Sequence, residues 1–195
     1  MKYDSPINQS EILPNLLGLQ SVKEIGISEF EGFLKAEIQL TESLTAKTKF
    51  NVSYILKIHK LSLGHLYAFA GKYRDVNISK AGFTFPASRF LPETMTAFEN
   101  ELLLKLPNKY KTKAELVKDI ATVHAELLFI HPFREGNGRT ARILANIMAR
   151  KQGYDALRFE LLTENEFKNY VLAVQASADK RFDKMGEIID FIFPD

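Results

Sequence analysis

The chain contains no cysteine among its 195 residues, so disulfides and thiol chemistry are excluded and a reducing compartment fits. It also has little net charge: 26 basic against 24 acidic side chains give +2. The lysines are spread along the chain rather than gathered in one stripe. That balance excludes direct nucleic-acid binding through a basic face and any global pull toward an anionic membrane. No run approaches the roughly 18 consecutive apolar residues of a membrane span. The opening residues, MKYDSPINQS, carry an acid and a proline where a secretory leader needs an apolar stretch, and the expectation is a cytoplasmic protein. A Walker-type GxxxxGK[ST] is missing, which sets that class of NTPase aside. Internal repeats and low-complexity tracts are missing too.

What is present is enough apolar material for a packed core, 46% of the residues, in a length that fits one domain. Residues 1–20, with Pro14 and Gly18 as breakers, predict an arm laid on that domain, and residues 21–195 the domain itself. SEFEGFLKAEIQL predicts a helix opened by Ser28 and Glu31 in capping-box spacing, with Phe30, Phe33, Leu34 and Ile38 as its apolar face and Gly32 as a weak point. NVSYILKIHKLSLGHLYAFAG predicts a second helix stopping at Gly71. VNISKAGFTFPASRFLP is β-branched and aromatic, broken by Lys80, Ala81 and Gly82, and predicts a short hairpin. Pro92 opens a further helix. Thr112 with Glu115, and Thr163 with Glu166, mark capping boxes ahead of two more. RTARILANIMARKQ and MGEIIDFIF complete an all-α bundle with one β-hairpin.

One stretch concentrates polar chemistry. HPFREGNGRTAR, residues 131–142, is a loop feeding the start of a helix. Helix N-termini present unpaired N–H groups and positive potential, and Gly136 and Gly138 remove side chains that would keep an anion away from them. Arg139 and Arg142, three apart, share a helix face and can grip phosphate oxygens. Asn137 adds an amide, and Glu135, the one acid, can hold a divalent cation such as Mg²⁺ across phosphates. His131 can take a proton from an incoming hydroxyl at neutral pH, while Phe133 anchors the loop in the core. A GxG before a helix, or a histidine before proline, means little alone. The combination points to a nucleotide-phosphate site with a metal and a general base, and to phosphoryl or nucleotidyl transfer. His59, His65 and His124 fall inside helical runs without a metal-ligand partner at useful spacing and read as structural.

The same twelve residues resemble, position by position, the HPFx(D/E)GNGRxxR signature of the Fic family (filamentation induced by cAMP). LYAFAGKYRDVNISKAGFTFP is similar to the stretch leading into that family's target-docking flap, and the likeness covers about residues 45–193. The resemblance implies a Fic-type helical bundle that transfers AMP from ATP to a Ser, Thr or Tyr hydroxyl of a target protein, or of itself, releasing pyrophosphate. It implies His131 as the base, Glu135 on Mg²⁺, and Gly136, Asn137 and Gly138 around the α- and β-phosphates. Arg139 would hold the terminal phosphates with help from Arg142. Lys80, Ala81 and Gly82 would form the flap tip and Phe83, Thr84 and Phe85 its returning strand, pairing with the target's main chain. Tyr170 and Gln175 are candidates for the adenine. Two alternatives stay open: another donor (a different nucleotide, phosphocholine or phosphoryl transfer) and a catalytically idle interaction module.

Many Fic proteins carry a helix of pattern [ST]xxxE[GN] whose glutamate pairs with the second motif arginine. The nearest stretches, ISEFEGFL and MTAFEN, have Ile27 and Met95 where Ser or Thr belongs. The resemblance thus implies an Arg142 free of any carboxylate of this chain, a degenerate role for Glu31 excepted. It implies an active enzyme unless a separate small antitoxin supplies the glutamate in trans.

Overall fold

The computed structural model describes residues 12–80 and 82–194; most of the expected arm, and Ala81 at the hairpin tip, lie outside the described residues. Residues 12–20 run along the domain, with the Leu16 N–H donating to the Leu66 carbonyl and Ile12, Leu13 and Leu19 packed on the core. Seven α-helices follow among the described residues: α1 (Val22–Glu42), α2 (Val52–Leu63), α3 (Leu91–Glu101), α4 (Lys113–Ile130), α5 (Asn137–Lys151), α6 (Glu164–Ala176) and α7 (Asp183–Ile192). Between α2 and α3 stands one antiparallel hairpin, β1 (Ser79–Lys80) and β2 (Phe83–Thr84), with Ser79 opposite Thr84 and Lys80 opposite Phe83. An all-α bundle with a single hairpin is the expected architecture.

Helix α4 is its axis. Buried residues occur on nearly every side of it, from Leu116 and Val117 to Leu128 and Ile130, because α5, α6 and α7 all pack against it. A helix apolar all round belongs inside a bundle. The Thr112–Glu115 capping box forms in both directions and fixes its start.

Three local expectations are corrected. Helix α1 begins at Val22, six residues before Ser28, with Ser21 as its N-cap accepting from the Glu24 N–H. Its buried face is Ile25, Glu29, Gly32, Phe33, Ala36 and Leu40, whereas Phe30, Leu34 and Ile38 are exposed. Gly32 sets that face: a Cβ there would lie 2.0 Å from the Ser62 carbonyl oxygen, so α1 and α2 cross backbone to backbone at this point. Helix α2 stops at Gly64, well before Gly71, and the chain then turns so that the Gly71 N–H donates to His59 Nδ1 at 2.7 Å. The Thr163–Glu166 capping box does not form either. Thr163 makes no side-chain cap, and its hydroxyl bonds the Glu166 carboxylate instead.

Candidate active site

The motif loop exists because α4 cannot continue. Pro132 follows His131, and the residue before a proline is disfavoured in the helical region. His131 adopts φ 52 in the left-handed region, capping α4 with its N–H on the Leu127 carbonyl. Its ring is fixed twice: Nδ1 lies 3.1 Å from the Leu128 carbonyl oxygen and the ring stacks on Phe85 with centroids 3.9 Å apart. A carbonyl only accepts, so Nδ1 carries the proton and Nε2 is left with a lone pair. Burial holds the imidazole well below its ordinary value, at about 4, the Leu128 carbonyl opposes this, and the charges of Arg74 and Lys80 push the same way as burial. At neutral pH His131 is an unprotonated base.

The loop itself is braced from three directions. The Asn137 amide accepts from the Phe133 N–H at 2.8 Å and donates to the Phe133 carbonyl at 2.7 Å. His59 stacks face to face on Phe133, centroids 3.8 Å apart, and lies 2.9 Å from the Glu135 carbonyl oxygen through Nε2. Gly136 starts α5 at φ 76, and a Cβ there would press on Leu63 and Phe33 at 2.9 Å. Only glycine fits that corner. Gly138 differs: an added Cβ would meet nothing within 4 Å, so the space beside the first turn of α5 is open. Thr140 makes the first helical bond, to the Gly136 carbonyl, leaving the N–H groups of Asn137, Gly138 and Arg139 without partners inside the helix.

The charges are arranged around that opening. Glu135 accepts from the Gly136 N–H at 2.7 Å and from Arg139 at 3.2 Å. Arg139 also pairs with Glu29 of α1 at 2.7 Å and lies over the Phe33 ring. The other oxygen of Glu29 accepts from Tyr67 at 2.7 Å, and burial, joined by this carboxylate, drives the Tyr67 hydroxyl pKa upward. Arg142 faces the other way, with its guanidinium over Phe159 and acting on the Tyr170 hydroxyl. Glu31 stands in solvent beside Lys35 at 3.8 Å. Beside Glu135 of the loop itself, the carboxylate that reaches a motif arginine is therefore Glu29 on Arg139, not Glu31 on Arg142.

Among the residues singled out from the sequence, the structure gathers His131, Glu135, Gly136, Asn137, Gly138 and Arg139 at one loop–helix junction, with Phe85 against the histidine. Three differ from expectation. Arg142, expected to assist at the terminal phosphates, is engaged by Phe159 and Tyr170 instead. The Asn137 side chain is consumed by the loop, so only its backbone N–H is left for an anion. Tyr170 is buried, with its hydroxyl 2.6 Å from His124 Nε2, because an aromatic on the inner face of α6 packs first; it presents no free face to a base. Gln175 lies half-buried further along α6. Lys80, Gly82 and Thr84 are exposed on the hairpin, while Phe83 and Phe85 pack inward against each other.

Sequence reasoning passed over Glu29, Tyr67, Arg74 and the bracing role of His59. Glu29 left a trace: it is the one acid on the buried face of α1. Arg74, buried at 3% exposure with bonds to three carbonyls, left none.

The comparisons agree with this geometry. A family model, Fic/DOC family, matches residues 49–149. A protein adenylyltransferase Fic of Nematostella vectensis is 30% identical over 155 residues, 78% of this chain and 34% of the relative. Its counterpart in Drosophila willistoni is 31% identical over 128 residues, 65% of this chain and 25% of the relative. The chain thus spans about a third and a quarter of the length of these curated relatives. Among solved structures, the N-terminal Fic domain of a VirB-translocated Bep effector from Bartonella quintana is similar with a TM-score of 0.76 at 20% identity, covering 97% of this chain and 91% of that one. BepC of Bartonella tribocorum, solved with bound AMPPNP, gives 0.74 at 18% identity over 99% and 96% of the two chains. The chain belongs to the Fic/DOC family.

Proposed function

We propose that the chain transfers AMP from ATP to a hydroxyl of a target protein. The observation that carries this reading is the contact of His131 Nδ1 with the Leu128 carbonyl oxygen at 3.1 Å. With Nδ1 committed to the Leu128 carbonyl, the only basic atom of the ring is Nε2, at the end of a helix-capping loop whose next helix starts with free N–H groups. In the reaction, the target hydroxyl oxygen bonds to the α-phosphorus, the bond from that phosphorus to the bridging oxygen of the β-phosphate breaks, and pyrophosphate leaves. His131 Nε2 takes the hydroxyl proton. The N–H groups of α5 and its dipole would carry the phosphate charge. A bound triphosphate brings negative charge near the imidazole, which raises its pKa from about 4 toward the range where a base works at neutral pH.

Glu135 fits the role of a Mg²⁺ ligand. One half-exposed carboxylate suits an ion whose other ligands are phosphate oxygens and water, and such an ion would neutralise phosphate charge. The hairpin supports docking of an extended target segment along its exposed edge. Glu29 supports restraint within the chain, since a terminal phosphate must displace a carboxylate from Arg139. This takes over part of the task assigned above to a separate antitoxin.

The reading is tested with ATP labelled separately at the α and γ positions, Mg²⁺ and a cell lysate. Label from the α position on protein, with none from γ, is the expected result. Transfer of the γ label would make the chain a phosphotransferase instead.

A further inference from the structure

We infer that Arg74, which lies outside the motif, is a positioning residue for the transfer reaction: its buried guanidinium sets the base and the target-docking hairpin in one frame. The inference rests on the transfer reading above. Nε donates to the His131 carbonyl at 2.8 Å, Nη1 to the Val76 carbonyl at 2.7 Å and Nη2 to the Pro86 carbonyl at 2.6 Å. The Arg74 N–H donates to the Pro132 carbonyl at 2.8 Å. Val76 and Pro86 flank the two strands, so both roots of the hairpin and the peptide just after the base meet on one planar group.

The connection also reaches the imidazole. Pro86 follows Phe85, the residue stacked on His131. His131 holds a left-handed backbone that side chains rarely adopt, which persists only where the surroundings over-determine it. Arg74 supplies that determination from the carbonyl side. A planar fork with fixed N–H directions can serve three carbonyls arriving from different directions; a lysine ammonium on a flexible stem cannot. Burial pushes the guanidinium pKa down to about 10, so it stays charged at neutral pH, and its charge is one of those keeping His131 unprotonated. The Lys80 charge acts on His131 in the same sense.

The test compares Arg74→Lys and Arg74→Gln with wild type. Arg74→Lys, once shown to melt as a folded protein, is expected to lose about 10- to 100-fold in kcat, since a misplacement near 1 Å costs on that scale. KM for ATP should change by less than about threefold, because the nucleotide is held by α5. By NMR, the contact between the His131 and Phe85 rings should weaken in both variants. The His131 pKa should rise in Arg74→Gln but stay near wild type in Arg74→Lys. Wild-type kcat and ring contacts in folded Arg74→Lys overturn the inference, as does an ATP KM that rises as far as kcat falls. If wild type itself transfers no α label, the transfer reading fails, while the ring contacts and the His131 titration still decide whether Arg74 couples base to hairpin. If neither variant folds, the Nε proton of Arg74 in wild type decides. It should exchange as slowly as α4 amides, and exchange at the rate of a surface arginine overturns the inference.

Discussion

The motif loop and the hairpin are both short, both lie between helices, and both meet at His131, yet they are held very differently. In the loop, the Asn137 amide spends donor and acceptor on Phe133, His59 reaches the Glu135 carbonyl, and Gly136 is boxed in by Leu63 and Phe33. The hairpin has two-residue strands, an exposed tip and a root fastened by Arg74 and by the Asn77 side chain accepting from the Ser88 N–H. Chemistry on a fixed nucleotide needs tenths of an ångström; recognition of an extended segment needs an edge that can adjust. Under the proposed transfer reading, the two regions divide those demands.

The comparison breaks first at the base. His131→Ala should cost about 10² to 10⁴ in transfer and leave ATP affinity within a few-fold, because the imidazole serves the hydroxyl rather than the phosphates. Calorimetry with ATP beside an α-label transfer assay checks both. The pH dependence sharpens the point. His131 is held at about 4 in the folded chain against an ordinary value near 6.5, so its base form persists as pH drops from 8. Transfer by the wild type should fall on the acid side at a pH above 4, since bound triphosphate raises the imidazole pKa, and kcat reports the pKa of that complex. His59 and His124 are also held near 4 by burial. A depressed histidine adds stability that is complete above about 6.5 and is lost as pH falls toward 4, where the unfolded chain binds the proton and the folded one does not. Melting temperature should therefore decline below pH 6.5, and a flat profile from 7 to 4 would contradict the buried neutral rings.

The fold and the chemistry were legible in the sequence to different depths. The helix periodicities, the Thr112–Glu115 box and the hairpin could be read because each is local: spacing and turn residues within a few positions determine them. The twelve-residue motif could be read because its members are neighbours in the chain. The face of α1 could not. Phe30, Leu34 and Ile38 have the right period, but which stripe turns inward was decided by Gly32 meeting Ser62, a contact across two helices. The same holds for Asn137. Its amide looks like a ligand for phosphate, and only the bend of the loop shows that Phe133 takes both ends. Glu29, Tyr67 and Arg74 act at long range in sequence, on Arg139, on each other and on His131, and no short window contains them with their partners.

Asn137→Ala tests the rigid side of the comparison. It leaves the buried N–H and carbonyl of Phe133 unpaired, at roughly 1–3 kcal/mol, so the chief effect should be on thermal stability, with ATP affinity falling only as the loop loosens. A variant with wild-type melting and sharply weakened ATP binding would return this side chain to the role of phosphate ligand.

Glu29→Gln addresses the charge that closes the loop side. The Arg139–Glu29 contact is short and Glu29 is buried, and a charge-assisted bond is worth about 1.5–3 kcal/mol, so its loss should free Arg139 for a phosphate. Affinity for ATP and α-label transfer should both rise, by about tenfold, while AMP affinity stays put because it lacks the terminal phosphates. Tyr67 keeps an acceptor in the amide oxygen, which limits the damage to the core. Equal gains for ATP and AMP would mean that the carboxylate hinders the site as a whole rather than through Arg139.

The smallest effect is expected at the adjustable side. Gly82 stands at φ 80 with open space around it, so Gly82→Ala meets backbone strain of about 1 kcal/mol and no clash. That strain is confined to the turn between Lys80 and Phe83, beyond the reach of the Arg74 clasp at the root. ATP binding and melting temperature should therefore be unchanged within error. What should move is KM for a protein target, by a few-fold, as the tip relaxes and the edge offered to an incoming strand shifts. A loss of kcat with unchanged target KM would show that the tip is coupled to His131 after all, and that the hairpin belongs with the rigid loop.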